Sequence, residues 1–427
     1  MSQGALPGFR DFYPDQLATR NYLMAVWRDV ARRYGFVEYD GPPLESLDLY
    51  TRKSGDEIVG QLYNFTDKGG REVALRPEMT PTLARMVAAK ANAMRKPIRW
   101  FSVPQLFRYE RQQKGRLREH FQLNVDIIGE SSVAADAELL AVAVDVMRAV
   151  GLSSRDVRAR VSDRRLLTAM LSHAGVSQNE RPAVFAAIDK VGREPRDVTL
   201  SKIDKAVAKP EARKTVATML DHARDLDSLA REFAGSSDVV DEISHLREYL
   251  AFLSALGVGD WVDFDLSIVR GLAYYTGKVF ELFDAKGEFR AICGGGRYDD
   301  LLSTIGGVDL PALGFGMGDV VLTELLRSRN LLPEPDLAAE YWVAAEDESL
   351  MRDVMTVAGR LRAKSRSVEY ALKSQTLSRQ LKAASSAGVQ QVVLIRRDEY
   401  EKGRVTVKTL ADGSERAVAL DAFLDSL

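Results

Sequence analysis

Five basic residues crowd a short polar segment in the first third of the chain, and they are Arg108, Arg111, Lys114, Arg116 and Arg118. Like charges at this density cannot be buried without partners, so they need either solvent or an anion. A solvated turn meets that need as well as a bound phosphate does. The basic run alone therefore does not choose between the two.

The residues on either side of the basic run alternate between apolar and polar, which predicts a hairpin with the charges at its tip. On the exit strand, Gln122 and Asp126 lie four residues apart, so they share one face with Asn124. That face would offer guanidinium groups near the tip and an amide and a carboxylate deeper in. Such an arrangement suits a ligand with a phosphate at one end and an amine at the other.

The spelling of residues 107–122, FRYERQQKGRLREHFQ, resembles motif 2 of the class II aminoacyl-tRNA synthetases, and that of the histidyl-tRNA synthetases in particular. The resemblance implies that Arg108 faces the α-phosphate of ATP and that Arg116 and Arg118 also contact the nucleotide. It further implies that Glu110 holds adenine by a hydrogen bond and that Phe121 holds it by stacking.

A second stretch combines RGLAYYTG at residues 270–277 with GGRYD at residues 295–299. An arginine, two tyrosines and a glycine can be ordinary hairpin residues, but the two spellings together are similar to the histidine-binding segments of the same family. The resemblance implies that Arg270 faces the α-phosphate, where other class II enzymes often place a metal ion. Tyr274, Tyr275 and Tyr298 would form the pocket for the histidine side chain.

In RPEMTPTLARMVA, Pro77 ends an extended segment and Thr80 is predicted to cap a helix. Glu78 before that helix could simply face solvent. The spelling resembles the motif with which histidyl-tRNA synthetases contact the amino acid. By that resemblance Glu78 and Thr80, together with Gln122 and Asp126, surround the ammonium group of histidine.

Residues 311–326, PALGFGMGDVVLTELL, form a glycine-spaced strand that runs into a helix and resemble class II motif 3. The family places an arginine after an acidic residue here and uses it to hold ATP, whereas this chain has Val320 after Asp319. Our hypothesis is that Arg297, or Arg116 or Arg118 of the basic loop, compensates for the missing arginine.

The elements around these motifs predict an α+β fold. The resemblance implies an antiparallel class II sheet in a catalytic domain at residues 1–330. Residues 164–255 read as a helical insertion, which could be a plain spacer or could touch the acceptor stem. A proline-bearing linker at 331–336 precedes a small α/β domain at 337–427, which resembles an anticodon-binding domain.

A helix at residues 17–34 and a short strand before Pro42 resemble motif 1, on which the family dimerises. The resemblance therefore implies a homodimer, although an ordinary helix and edge strand fit the same pattern.

The composition is that of an ordinary globular protein, with 46% hydrophobic and 28% charged residues among 427. A net charge of −2 means that a polyanion would be met by local basic patches. The single cysteine, Cys293, and four histidines without ligand spacing predict no structural metal. The absence of a long apolar run and of a signal pattern predicts no membrane span and a cytoplasmic location.

The resemblance implies a histidine–tRNA ligase that uses ATP, with Mg²⁺ accompanying the nucleotide, and whose partners are L-histidine and tRNA(His). The alternative is a catalytically silent relative that senses histidine, such as the regulatory subunit of ATP phosphoribosyltransferase. The altered motif 3 favours the alternative. The presence of Arg108, Arg270 and Gln122, and of a C-terminal domain, opposes it.

Overall fold

The computed structural model describes residues 4–51, 60–110, 115–269 and 275–427. Arg111, Lys114, Arg270 and Tyr274 therefore lie outside the described residues. The chain forms two compact units, of which the first comprises Met1–Phe12 and Thr19–Pro333 and the second Tyr13–Ala18 and Glu334–Leu427. None of the described helices combines the length and the apolar character that crossing a bilayer requires.

The described residues of the first unit contain twelve short strands. They are β1 (Val37–Glu38), β2 (Leu44–Ser46), β3 (Tyr63–Thr66), β4 (Glu72–Leu75), β5 (Ile98–Ser102), β6 (Gln105–Phe107), β7 (Glu119–Ile128), β8 (Val157–Asp163), β9 (Val262–Phe264), β10 (Lys278–Asp284), β11 (Cys293–Arg297) and β12 (Ala312–Gly318).

Most of these strands join one sheet in the order β1-β5-β7-β12-β11-β10-β8-β9, and β6 extends β7 at its hairpin end. Neighbouring strands are antiparallel except at the two edges, where β1 runs parallel to β5 and β9 parallel to β8. The remaining three strands form a small antiparallel sheet in the order β2-β4-β3. The predicted α+β class with an antiparallel core is confirmed.

The predicted basic hairpin is also confirmed, since β6 and β7 pair antiparallel with Gln105 opposite Phe121. Strand β7 then continues between β5 and β12. Its Leu123, Val125 and Ile127 join the main hydrophobic core, which fixes the register because a slip of one residue would bury the polar face instead.

Helices cover the sheet of the first unit. They are α1 (Pro14–Arg33), α2 (Asp48–Thr51), α3 (Thr80–Ala88), α4 (Val133–Ala149), α5 (Arg164–His173), α6 (Arg181–Ile188), α7 (Arg196–Ala206), α8 (Pro210–Asp221), α9 (Leu226–Glu232), α10 (Ser237–Ala255), α11 (Leu301–Gly306) and α12 (Asp319–Ser328). Residues 164–255, all of which are described, contain helices α5–α10 and no strand beyond one isolated bridge between Val191 and Glu194. Their apolar faces belong to the same core as the sheet.

The second unit contains a sheet in the order β14-β13-β15-β16-β17, parallel among the first three strands and antiparallel among the rest. Its strands are β13 (Tyr341–Ala345), β14 (Val368–Tyr370), β15 (Gln391–Ile395), β16 (Arg404–Thr409) and β17 (Glu415–Ala419). Its helices are α13 (Met351–Ala363), α14 (Leu377–Ser386), α15 (Arg397–Tyr400) and α16 (Leu420–Asp425). Separate apolar clusters lie on the two faces of the sheet.

Candidate active site

A cavity of about 310 Å³ opens over the polar face of β7, and we call it the active-site cavity. The basic hairpin contributes Arg108, Glu110, Gly115, Arg116, Leu117, His120 and Gln122 to its wall. The remaining wall comes from β10, β11, β12, the residues leading into β11 and the start of α12, and comprises Glu281, Ala291, Ile292, Cys293, Gly294, Gly316, Gly318, Val320 and Val321.

Glycines on β12 make room for the polar side chains of β7. A Cβ placed on Gly314 would lie 2.1 Å from Asp126 Oδ1, and one on Gly316 would lie 2.4 Å from Gln122 Nε2. Both distances are far inside van der Waals contact. The glycine spacing of β12 is therefore the steric complement of the predicted amide and carboxylate.

Asp126 is buried, and its Oδ1 accepts a hydrogen bond from the Tyr298 hydroxyl. Burial raises the pKa of Asp126 to about 7, although the tyrosine hydrogen bond opposes the shift. Tyr275 and Tyr298 are buried in one apolar cluster with residues of α3 and β5. The structure thus brings three of the predicted histidine-binding residues to one neighbourhood.

Glu78 and Arg108 meet beside this region. The Arg108 Nε donates to the carbonyl of Pro77 at 2.9 Å, next to the buried Glu78. Burial raises the pKa of Glu78, and the positive charge of Arg108 partly offsets that rise. Thr80 is the first residue of α3 and not its cap, because Met79 occupies the N-cap position and no side chain caps the helix. The predicted capping role of Thr80 is wrong.

Glu110 and Arg116 form an ion pair in the cavity wall, with Arg116 Nη1 3.0 Å from Glu110 Oε2. That oxygen is buried and accepts no hydrogen bond from the described residues, so the contact is electrostatic without hydrogen-bond geometry. Glu110 Oε2 therefore retains the capacity to accept a hydrogen bond from a ligand.

The model of the "Histidyl-tRNA synthetase" family matches residues 8–319, and that of the "Anticodon binding domain" matches residues 341–427. A histidine–tRNA ligase of Opitutus terrae is 44% identical over 420 residues, with 97% of this chain and 95% of that protein covered. The chain belongs to the histidyl-tRNA synthetase family. The family that the motifs predicted, and the class of aminoacyl-tRNA ligases, are confirmed.

Other histidyl-tRNA synthetases are similar to this chain over nearly its whole length. The chloroplastic/mitochondrial histidine–tRNA ligase of Arabidopsis thaliana is 42% identical over 97% of this chain and 84% of its own length. The crystal structure of a histidyl-tRNA synthetase from a species of Nostoc has a TM-score of 0.83, with 24% identity and coverage of 100% of this chain and 99% of that one. The latter similarity shows a common fold.

Three predicted ATP contacts lie away from the cavity of this family member, and the first is Phe121. Strand alternation places it opposite His120 and Gln122, and its ring lies 4.7 Å from the Arg20 guanidinium. His120 faces the cavity instead. Burial, together with Arg108 and Arg10, lowers the pKa of His120 to about 3, so its imidazole is neutral. The period-two pattern from Gln122 could have identified His120.

Arg118 is the second predicted ATP contact that does not line the cavity. Its guanidinium lies 4.1 Å from the Tyr109 ring centre, and its nitrogens donate to the carbonyls of Glu110 and Pro7. It is not among the described residues that line the cavity. The N-terminal segment around Pro7 thus holds Arg118 in a position that local sequence spacing could not reveal.

Arg297 is the third predicted ATP contact that lies away from the cavity. Its position does not support the hypothesis that it replaces the motif 3 arginine. Its side chain is 2% exposed, and its Nε donates to Asp136 at 3.0 Å. The other two nitrogens donate to Asp299 and to the carbonyls of Glu130 and Ser132. All its nitrogens are engaged in the protein interior, so Arg297 serves the fold and does not line the cavity.

Asp319, the acidic residue of motif 3, is tied to the N-terminal segment by Arg10. Arg10 donates to Asp319 at 2.8 Å and to Glu119 at 2.6 Å, so it connects the start of α12 to β7. The Phe121 backbone N–H donates to Asp319 as well, at 2.9 Å. Sequence reasoning missed Arg10, because nothing in its local spelling indicates these long-range partners.

Arg270 and Tyr274 lie outside the described residues, so the convergence of Arg108 and Arg270 stays a prediction. The described residues on either side of them are informative. Ile268 and Tyr275 belong to the same apolar cluster as Tyr298. Two described residues that flank the RGLAYY segment therefore pack in the cluster that contains Tyr298.

Proposed function

We propose that the chain attaches histidine to tRNA(His) in two steps. Histidine and ATP first form histidyl-adenylate and pyrophosphate, and the histidyl group then passes to the terminal ribose of the tRNA. The observation that carries this proposal is the polar face of β7. Arg108 and Arg116 line the cavity at the hairpin end of that face, and Gln122 and the buried Asp126 lie farther along it, as phosphate and ammonium groups require.

In the first step, the histidine carboxylate attacks the α-phosphorus of ATP in line and pyrophosphate leaves. This reaction depends mainly on positioning and on positive charge held against the phosphates. Arg108 is assigned to the α-phosphate by its motif, and its side chain lines the cavity beside Pro77 and the buried Glu78. Arg270 is assigned to the same phosphate by its motif. Each charge-assisted hydrogen bond of this kind is worth about 1.5–3 kcal/mol.

Histidine is held at the buried end by Asp126, Gln122, Glu78 and Thr80, with Tyr274, Tyr275 and Tyr298 around its imidazole. A pKa near 7 leaves Asp126 shared between its charged and neutral forms, and a substrate ammonium group would favour the carboxylate. A pocket that hydrogen-bonds its substrate rejects analogues without the matching group by roughly 10⁴- to 10⁵-fold. Such a pocket needs no editing site.

Adenine is held by Glu110, whose Oε2 has acceptor capacity, and by the neutral imidazole of His120. Mg²⁺ accompanies the triphosphate in this proposal. Among the described residues no group of three or more His, Cys, Asp or Glu side chains could hold a metal ion. The phosphates would therefore supply most of its ligands, and Glu281 is the nearby carboxylate on β10 that could add one.

The second unit binds the anticodon region of the tRNA in this proposal, supported by its match to the anticodon-binding family. Basic side chains on its first half, such as Lys373, Arg379 and Lys382, would contact phosphates. Exposure of Val37 and Leu44, near the segment that resembles motif 1, supports a homodimer. Light scattering would test the dimer, and fractionation of cells would test the cytoplasmic location.

Histidine-dependent exchange of labelled pyrophosphate into ATP tests the activation step, and charging of tRNA(His) transcripts tests the second step. We expect exchange with histidine and none with glutamine or alanine. Histidine binding without exchange would instead support the silent sensor, which the two valines at the start of α12 favour. Arg108→Ala should strongly reduce exchange, whereas it should lower the unfolding temperature only slightly, because the half-buried Arg108 side chain loses its hydrogen bond to the Pro77 carbonyl and its charge beside Glu78.

A further inference from the structure

A second cavity, of about 430 Å³, adjoins the active-site cavity and shares Gly115 and Val321 with it. Its other lining residues are Gly287, Glu288, Phe289, Arg290 and Glu324. We propose that Arg290 in this cavity binds the β- and γ-phosphates of ATP and so replaces the arginine that motif 3 lacks. This inference rests on the proposed function, because it assigns a subsite of the same reaction.

The two cavities are continuous at Gly115 and Val321. Gly115 has a φ of +76°, and a Cβ built on it would lie 3.3 Å from Val321 Cγ2 and 4.0 Å from Arg290 Cδ. The basic loop, the start of α12 and the Arg290 side chain therefore meet at one point. A triphosphate that extends from Arg108 past Gly115 would reach this point next.

A triphosphate carries more negative charge than the described wall of the active-site cavity can neutralise. Among the described residues, the cations that line the active-site cavity are Arg108 and Arg116. Arg116 is paired with Glu110, and the start of α12 contributes Val320 and Val321 in place of a cation. The described part of the cavity thus offers little positive charge for the β- and γ-phosphates, although these two groups carry most of the negative charge of ATP.

The neighbouring arginines Arg118 and Arg297 contact groups outside the cavity. Arg329 binds Asp284 at 2.9 Å and approaches Glu288 at 3.5 Å, so it holds the β10–β11 hairpin. Among the described residues, Arg290 is the arginine that lines the adjoining cavity, and its side chain is exposed.

The hairpin that carries Arg290 is well anchored. Asp284 ends β10, and its carboxylate accepts hydrogen bonds from the backbone N–H groups of Lys286 and Glu288 and from Arg329. Glu288 and Glu324 line the same cavity, so a phosphate would compete with carboxylates for the Arg290 guanidinium. Arg290 can therefore pair with a carboxylate before ATP binds and with a phosphate afterwards, since a guanidinium forms bidentate hydrogen bonds with either anion.

The test compares Arg290→Ala with Lys286→Ala, which removes the same charge from the same hairpin at a residue outside the described cavity walls. In the exchange assay we expect Arg290→Ala to raise the KM for ATP and for pyrophosphate about tenfold, since one charge-assisted contact is lost. The KM for histidine should not change. Lys286→Ala should match the parent protein, and thermal unfolding of both variants should be unaltered.

Direct binding of ATP and AMP by calorimetry separates this inference from the proposed function. Arg290→Ala should weaken ATP binding and leave AMP binding unchanged, because AMP lacks the β- and γ-phosphates. Equal weakening of both nucleotides, or no weakening of ATP, would overturn the inference. Lack of exchange by the parent protein would overturn the proposed function, and the binding comparison would still decide the role of Arg290.

Discussion

The site has a deep end, formed by the buried carboxylates of Asp126 and Glu78, and a mouth, where Arg116 and Arg290 line the two adjoining cavities and remain in contact with solvent. Asp126 and Glu78 are buried, and burial raises the pKa of each. Arg116 and Arg290 are exposed. Burial makes each interaction at the deep end strong and position-dependent, whereas solvent and salt weaken the interactions at the mouth. Substitutions at the two ends should therefore differ in size and in salt dependence.

The largest effect should come from Asp126→Asn. Loss of a buried carboxylate that pairs with the substrate ammonium group costs about 3 kcal/mol, or roughly 100-fold in kcat/KM for histidine. The KM for ATP should change little. Pyrophosphate exchange at several histidine and ATP concentrations measures both quantities, and a loss shared equally by ATP and histidine would contradict the assignment of Asp126 to the amino acid.

Gly314→Ala should weaken histidine activation less than Asp126→Asn does, and it should also destabilise the fold. Its Cβ would lie 2.1 Å from Asp126 Oδ1 and 2.9 Å from the carbonyl oxygen of Val125, so β7 or β12 must move. Overpacking of this kind typically costs about 1–3 kcal/mol of unfolding free energy. Gly318→Ala is the matched control, because a Cβ there meets nothing within 4 Å. Equal unfolding curves for the two variants in urea would show that the glycine is not sterically required.

The pH dependence of stability should report the buried carboxylate. Because the folded-state pKa of Asp126 is about 7, the folded protein retains a proton that an unfolded chain releases near pH 4. The contribution of Asp126 to stability therefore falls as the pH rises from about 4 to about 7.

Asp126→Asn removes that contribution, so the variant should gain stability relative to the parent protein across the same pH range. Thermal unfolding without histidine, at half-unit pH steps, measures the difference. Curves that stay parallel from pH 4 to pH 7 would show that Asp126 titrates normally.

The smallest effect should come from Arg116→Ala at the mouth. Arg116 is exposed and shares its charge with Glu110, so we expect the KM for ATP to rise about threefold at low salt and less at 0.5 M salt, where the Debye length is only about 4 Å. Asp126→Asn should show the same loss at both salt concentrations. A salt-independent loss for Arg116→Ala would show that Arg116 contacts the nucleotide where water is excluded. The two ends of the site would then not differ in salt dependence.

The motifs predicted much of this arrangement because strand alternation and turn residues are local signals. They located the basic hairpin and the glycine-spaced strand, and they placed Gln122 and Asp126 on one face. The same alternation places Phe121, one residue from Gln122, on the opposite face, where its ring lies against Arg20. His120 is the aromatic residue that the rule itself selects.

The positions of the arginines could not be predicted in this way. Arg297 and Arg118 are similar in local sequence to nucleotide-binding residues, yet their partners lie far away in the chain, at Asp136 and Pro7. An arginine side chain reaches any of several acceptors, and the fold decides which acceptor is near. Arg10 shows the converse, since an unremarkable N-terminal residue joins Glu119 to Asp319.

The sequence by itself determined the family, the α+β class and the residue types on the polar face of β7, because these follow from motif spelling and from period-two alternation. Only the tertiary structure decided which charges face the cavity, how deeply Asp126 is buried and where the wall without a motif 3 arginine meets Arg290. The physical reason is that burial and charge pairing depend on distances between segments that are remote in the chain, and local patterns do not encode those distances.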